Sequence, residues 1–179
     1  EGTILIDGID RAQIDPADLR KGISYVPQDI HLFGGTIKQN ILGIHKFIDD
    51  EWMLECSKMS GTDEFVRMHP AGYDMPLGER GAGLSGGQRQ SVGIARALIN
   101  NSDIWMFDEP TNAMDQMSES IVLNNLMSKV EGKTLLLVTQ KMSMVDLVDR
   151  IIVMNFGTKV LDGPKDEIID KLGNSGEKQ

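Results

Sequence analysis

The 179 residues are 40% hydrophobic and 25% charged, the balance of a folded globular domain and not of a disordered chain. With 27 acidic against 18 basic residues the formal net charge is −9, which disfavours non-specific attraction to nucleic acid or to anionic lipid. A single cysteine, Cys56, excludes an internal disulfide framework and reads as a packed apolar residue, and no apolar run reaches the roughly 18 residues a membrane-spanning helix needs.

In chain order, the alternating Ile4 and Ile6 of "TILIDG" run into an Asp7-Gly8 turn and predict a strand. "DPADLRKG" predicts a short helix with Asp15 as its N-cap, Pro16 at the first helical position and Gly22 near its end, and "ISYVP" predicts a second strand. From "QDIHLFGGTIKQNIL" to about Pro76 the pattern turns helical, with Trp52, Leu54, Cys56, Met59, Phe65 and Val66 set among polar residues and broken by "SGTD" and "HPAGYD" turns. "LSGGQRQSVGIARAL" opens a long helix whose Val92, Ala95, Leu98 and Ile99 recur at spacings of three and four, giving it one buried face.

"DIWMFDEP" then reads as an apolar strand covered on both faces. A helix over "SESIVLNNLMSKV", the strand "TLLLVT", a helix around "SMVDLVD" and a closing hairpin "RIIVMNFGTKVLDG", turning at residues 155 to 157, complete the series. The tail "GNSGEKQ" is expected to fray. Strands alternating with helices imply an α/β sheet core.

Two stretches carry chemistry. Asp108 and Glu109 end "WMFDEP" at the carboxyl end of a strand, where open α/β sheets bind ligands, and a carboxylate buried there calls for a metal or a proton. Asp108 suits Mg²⁺, directly or through water, and Glu109 suits a general base that polarises a water; a pair capping the next helix is the plain alternative. The helix start at Ser85, Gly86 and Gly87 offers unpaired N–H groups, a hydroxyl and the positive end of a helix dipole, with no Cβ to keep a phosphate from the backbone. A bare Ser-Gly-Gly reads first as an N-cap and tight turn, but Gln88, Arg89 and Gln90 beside it and the Asp-Glu pair downstream turn the reading to anion binding. His31, His45 and His69 lack metal-ligand spacing, and the eleven methionines read as core filler.

"YVPQD", "LSGGQRQ" with "ARAL", and "WMFDEPTNAMD", in that order, resemble the Q-loop, signature motif, Walker B motif and D-loop of the nucleotide-binding domain of ATP-binding cassette (ABC) transporters, and the resemblance spans essentially the whole chain. "LFGGTIKQNI", "GYDMPLGERGAGLSGGQRQ" and "VTQKMSMVDLVDRIIVM" are most similar to exporter ATPases of bacterial type I secretion systems, which move toxins, adhesins or peptides. The resemblance implies an α/β P-loop NTPase (RecA-like) core with an inserted α-helical subdomain. Residues 1–30 would form the first part of the core, ending at the Q-loop, and 31–97 the helical subdomain, ending in the signature motif and its helix. Residues 98–172 would form the second part, with Walker B, D-loop and switch region, and 173–179 a flexible tail.

The same resemblance implies ATP and Mg²⁺ as ligands. Gln28 would touch the metal; Ser85, Gly86 and Gly87 would meet the γ-phosphate of ATP held by an opposite subunit, with Leu84 and Gln88 among the nucleotide-binding residues of the same motif. Asp108 would organise Mg²⁺ and its water, Glu109 would be the catalytic base, and Asp115 would be the D-loop aspartate at the dimer interface. Gln140 stands where the family usually has a switch histidine; an amide donates a hydrogen bond but carries no charge, which implies slower hydrolysis. The implied partners are a second nucleotide-binding domain, an identical copy in this subgroup, the exporter's transmembrane domain, and a periplasmic adaptor with an outer-membrane channel, with no nucleic acid. The implied location is the cytoplasmic face of the bacterial inner membrane.

The sequence departs from the family in its glycine-rich stretch "GERGAGLSGG", which has no GK[ST] ending, so no Walker A loop is present in these 179 residues. The chain is therefore expected to be an N-terminally truncated part of a larger protein, binding ATP poorly and hydrolysing essentially none by itself. Two other readings compete. A regulatory module that holds nucleotide without turning it over has Gln140 in its favour and Glu109 against it. A DNA-repair or chromosome-maintenance ATPase needs a long coiled-coil insertion, and the stretch before "LSGGQ" is short.

Overall fold

A computed structural model describes residues 2–45 and 47–176. They fall into two compact units, Glu1–Val138 and Thr139–Gln179. In the first unit, β1 (Leu5–Ile6) and β2 (Ile9–Asp10) pair antiparallel across Asp7 and Gly8, whose φ angles of 49° and 80° suit a two-residue hairpin turn. Helix α1 (Pro16–Gly22) begins as its sequence predicts: the Ala17 N–H donates to Asp15 Oδ1 at 2.7 Å, and Pro16 occupies a position whose missing N–H costs nothing.

After β3 (Ile23–Val26) comes a helical layer: α2 (Ile37–Leu42), α3 (Asp50–Met59) and α4 (Thr62–Val66). This layer is not purely helical. Short strands β4 (Gly35–Thr36) and β5 (Pro76–Leu77) pair antiparallel and tie its beginning to its end. Helix α5 (Gly86–Leu98) packs against α2, α3, α4 and β3. Its Val92, Ile94 and Leu98, with Ile99 just beyond, are buried beside Ile37, Ile41, Met53, Cys56 and Val66. At about 1.5–3 kcal/mol for each large apolar side chain, that burial far outweighs the roughly 1 kcal/mol of a good N-cap. Packing, not capping, therefore holds α5. Burial pushes the Cys56 thiol up to about 12, so it sits there as the neutral packed residue its surroundings predict.

Strand β6 (Ile104–Asp108), helix α6 (Gln116–Met127) and strand β7 (Thr134–Val138) complete the unit, and β3, β6 and β7 form a parallel sheet with β6 in the middle. Trp105 and Phe107 share the buried face of β6, their rings stacked with centroids 5.6 Å apart. On the opposite face of β6, Ile104 and Met106 are half-buried. There the register aligns Tyr25, Met106 and Leu136 in a row, and Tyr25 and Leu136 are exposed.

In the second unit, the helix expected around "SMVDLVD" is a 3-10 helix over Met142–Leu147. Strands β8 (Arg150–Asn155) and β9 (Thr158–Pro164) then form the expected hairpin, turning at Phe156 and Gly157 with φ of 45° and 74°. The expected frayed tail is corrected in part: α7 (Lys165–Gly176) continues the chain as helix, anchored by fully buried Ile168, which sits next to Gly163 of β9. The remainder of that tail, 177–179, lies outside the described residues.

Candidate functional site

Helix α5 opens with a complete capping box. The Gln88 N–H donates to Ser85 Oγ at 3.1 Å, and the Ser85 N–H donates to Gln88 Oε1 at 2.9 Å. Ser85 therefore keeps its hydroxyl proton available while its oxygen caps the helix. Leu84 turns inward, buried, and its carbonyl accepts from the Arg89 guanidinium at 2.6 Å.

Ser85, Gly86, Gly87 and Gln88 line an open cleft of about 510 Å³, together with Asp115 and Arg67. Ser118 and Ile121 of α6 also line it, so two helix amino termini bracket one space. The positive ends of two helix dipoles and the unpaired N–H groups of their first turns favour an anion there. Arg67 adds a cation, in an ion pair with Glu64 at 2.7 Å. Asp115 works in the other direction: as N-cap of α6 it accepts from the Ser118 N–H at 2.9 Å and the Ser118 hydroxyl at 2.8 Å. Those two bonds hold its carboxyl below the usual carboxylate range.

The two glycines have a cause the residue pattern did not disclose. A Cβ on Gly86 would stand 3.0 Å from Ala113 Cβ, and one on Gly87 would stand 3.1 Å from the Ala113 carbonyl oxygen and 3.3 Å from Met114 Cα. Close approach of the 109–114 turn to the helix start is thus reason enough for glycine at both positions.

Asp108 and Glu109 leave the sheet at the carboxyl end of β6, at the same edge as Gln28. The register places Val26 beside Phe107, so the exposed Gln28, two residues past β3, and Asp108 both follow from neighbouring strand ends. Asp108 is half-buried and Glu109 is buried. Glu109 has φ of 46°, a left-handed conformation costing about 1–3 kcal/mol for a residue with a side chain, and the following Pro110 disfavours it further. Its backbone is held in place by three hydrogen bonds. Its N–H donates to the Val138 carbonyl at 2.8 Å, and its carbonyl accepts from the Asn112 N–H at 3.2 Å and from Gln90 Nε2 at 3.3 Å.

Glu109 and Asp108 do not line the cleft; Gln90 of α5 connects the Glu109 backbone to the helix that opens it. Its amide oxygen also accepts from the Ala113 N–H at 2.7 Å, so a single buried side chain joins α5 to both ends of the turn. Sequence reasoning grouped Gln90 with its polar neighbours and missed this bridge. The signal was its phase: Gln90, Ile94, Ala97 and Leu98 share the buried stripe of the helix. Gln140 opens the second unit and is exposed.

The family model for "ABC transporter" matches residues 1–112. The leukotoxin translocation ATP-binding protein LktB of Mannheimia haemolytica is 42% identical over 168 residues, covering 94% of this chain and 24% of that protein. The leukotoxin export ATP-binding protein LtxB of Aggregatibacter actinomycetemcomitans is 40% identical over 169 residues, with the same coverage. The chain thus spans about a quarter of the length of these curated relatives. The solved structure of a bacterial Atm1-family ABC exporter with ATP bound matches with a TM-score of 0.89 at 33% identity, covering 96% of this chain and 30% of that one.

Proposed function

Because the chain belongs to the ABC transporter family, we propose that it is part of the ATP-binding, ATP-hydrolysing motor of an exporter, in which two such domains close over two ATP molecules. The observation that carries this reading is the cleft where the amino termini of α5 and α6 meet. Ser85, Gly86, Gly87 and Gln88 would receive the terminal phosphate of a nucleotide held by the other domain, with Asp115 at the junction. Leu84 contributes by packing rather than by contact, since its side chain is buried. In this reading residues 1–30 and 98–172 make the core and 31–97 the helical subdomain.

Glu109 would act as general base, taking the proton of the attacking water. Its strained, triply hydrogen-bonded backbone supplies the fixed aim such a role needs. Gln140 would support that water with its amide. The donor set at the sheet edge fits Mg²⁺: Asp108 and Gln28 offer hard oxygen ligands from adjacent strand ends. Among the described residues no group of three or more His, Cys, Asp or Glu gathers around one point, and Mg²⁺ bound to a nucleotide needs only one or two carboxylates beside phosphate oxygens and waters. When bound, the ion would neutralise phosphate charge as the terminal group departs.

The partners in this reading are a second copy of the domain, the exporter's transmembrane domain, and an adaptor with an outer-membrane channel. The site of action is the cytoplasmic face of the inner membrane, and the cargo is a protein or peptide, the leukotoxin names of the relatives giving the class. A regulatory, non-hydrolysing module is the second reading, favoured by Gln140. The DNA-repair reading loses ground, because the longest helix described between β3 and α5 is the ten-residue α3.

The test is Mg-ATP turnover by the full-length protein, comparing the parent with Glu109→Gln and Gln140→His. Turnover that vanishes with Glu109→Gln supports a working motor. An inert parent rescued by Gln140→His would replace it with the ATP-clamping module.

A further inference from the structure

The two halves of the proposed machinery carried by one chain serve different nucleotides. The α5 terminus faces the nucleotide of the other domain, and Glu109 acts on the chain's own. Something must relate the position of one to the other, and the 109–114 turn is clamped to α5 from two directions. On the helix side, Gly86 and Gly87 allow Ala113 and Met114 to approach so closely that a Cβ would force the turn to give way by a few tenths of an ångström. On the buried side, the Gln90 carboxamide uses both of its ends, donating to the Glu109 carbonyl at 3.3 Å and accepting from the Ala113 N–H at 2.7 Å. Gln90 is 5% exposed, so neither bond competes with bulk water. Within the turn, the Asn112 N–H donates to the Glu109 carbonyl and the Met114 N–H to the Thr111 carbonyl, so the segment is tied internally as well.

We propose that Gln90 is a positioning residue that ties the Ser85–Gln88 half-site to the Glu109 turn, so that closure of the cleft on a phosphate sets the backbone from which the Glu109 carboxylate projects. Gln90 is buried and acts through the carbonyl of Glu109 and the N–H of Ala113. This inference rests on the ATPase reading above. The chemistry requires an amide: one group must donate at one end and accept at the other, and among side chains of this length only glutamine does both at neutral pH without a charge.

Steady-state Mg-ATP kinetics of the full-length protein test it, with Gln90→Met and Gln90→Glu compared with the parent and with Glu109→Gln. Methionine keeps the length and packing and removes both bonds. Glutamate keeps the acceptor for the Ala113 N–H and turns a lone pair toward the Glu109 carbonyl. Both variants should lower kcat by about tenfold or more while KM for ATP stays within about twofold, the signature of an interaction that matters in the transition state and not in binding. The melting temperature should fall by a few degrees in Gln90→Met, because the Ala113 N–H loses its buried acceptor while the Glu109 carbonyl keeps its bond from the Asn112 N–H, and by more in Gln90→Glu, which buries a charge.

A parent-like kcat in Gln90→Met would overturn the inference. So would a loss of kcat that arrives with a KM for ATP raised in proportion, since that marks disruption of the nucleotide site and not misplacement of Glu109. Should Gln90→Met fail to fold, Gln90→Glu carries the test: a parent-like kcat there would show the bond to Glu109 to be dispensable and overturn the inference equally. A parent with no turnover, or a Glu109→Gln variant as active as the parent, would instead overturn the ATPase reading and this inference with it.

Discussion

Replacing Gly93 by alanine sets two effects of known sign against each other. Gly93 lies in the interior of α5, where alanine is favoured over glycine by about 0.8–1 kcal/mol. A Cβ there would stand 2.5 Å from Ile30 Cδ1, 2.8 Å from Cγ1 and 2.9 Å from Cγ2, all three below any real contact distance, so the whole Ile30 side chain must move. Overpacking of that kind costs about 1–3 kcal/mol. The expected net effect is a destabilisation of about 1 kcal/mol, lowering the melting temperature by about 2–4 °C for a chain of this size. In an Ile30→Ala background the obstruction is gone, and Gly93→Ala should stabilise by roughly the propensity term, a coupling of about 2 kcal/mol across the cycle. Denaturant unfolding of the four proteins measures it. Equal stabilisation by Gly93→Ala in both backgrounds would refute the reasoning. Ile30 is two residues from Gln28, so the parent-background variant should also disturb that loop.

Arg96 donates to the Asn40 carbonyl at 2.7 Å, to Asn40 Oδ1 at 2.8 Å and to the His31 carbonyl at 2.9 Å, and its guanidinium lies 5.4 Å from the Phe33 ring centroid. Arg96→Ala should cost about 2–4 kcal/mol, and Arg96→Lys should recover only part of it because an ammonium cannot reproduce the planar fork; a denaturation midpoint within error of the parent would contradict this. In the second unit, hydrogen bonds from Arg150 and Lys159 hold the Asp162 carboxyl down at about 2. The folded form then binds fewer protons than the unfolded chain between its ordinary value near 4 and about 2. Its contribution is complete above about pH 4 and fades as pH falls toward 2, so Asp162→Asn should flatten the acid limb of thermal stability measured between pH 7 and 2.5.

Elements whose cause is local were legible in the sequence. Asp15-Pro16 announced α1, Ser85 announced the start of α5, and the 155–157 turn announced the last hairpin, because caps and tight turns depend on a few adjacent residues. Helix α7 was passed over although Ile168 and Leu172 lie four apart, and only its last residues were read as a tail, because the apolar face is short and its role appears only when β9 supplies a surface for Ile168. The β4–β5 pair was invisible because its partners are far apart in the chain and only two residues long. At the site, the cleft's polar residues were recognisable by type. The bridging of Gln90 was not, since it depends on where the 109–114 turn is placed after folding, and the same placement gives Gly86 and Gly87 their packing reason.

Gln90 and Arg96 stand six residues apart on one helix, about 9 Å along its axis at 1.5 Å per residue. A rigid rod pivoting by about 10° at its Gln90 end carries the Arg96 end sideways by about 1.5 Å. Hydrogen bonds of 2.7–2.9 Å to Asn40 and His31 do not stretch that far, so the 31–40 segment has to travel with the rod. Helix α5 is in this sense a lever with a bolted handle: whatever swings its cleft end must drag the stretch that follows Gln28, and a load on that stretch is felt at the cleft.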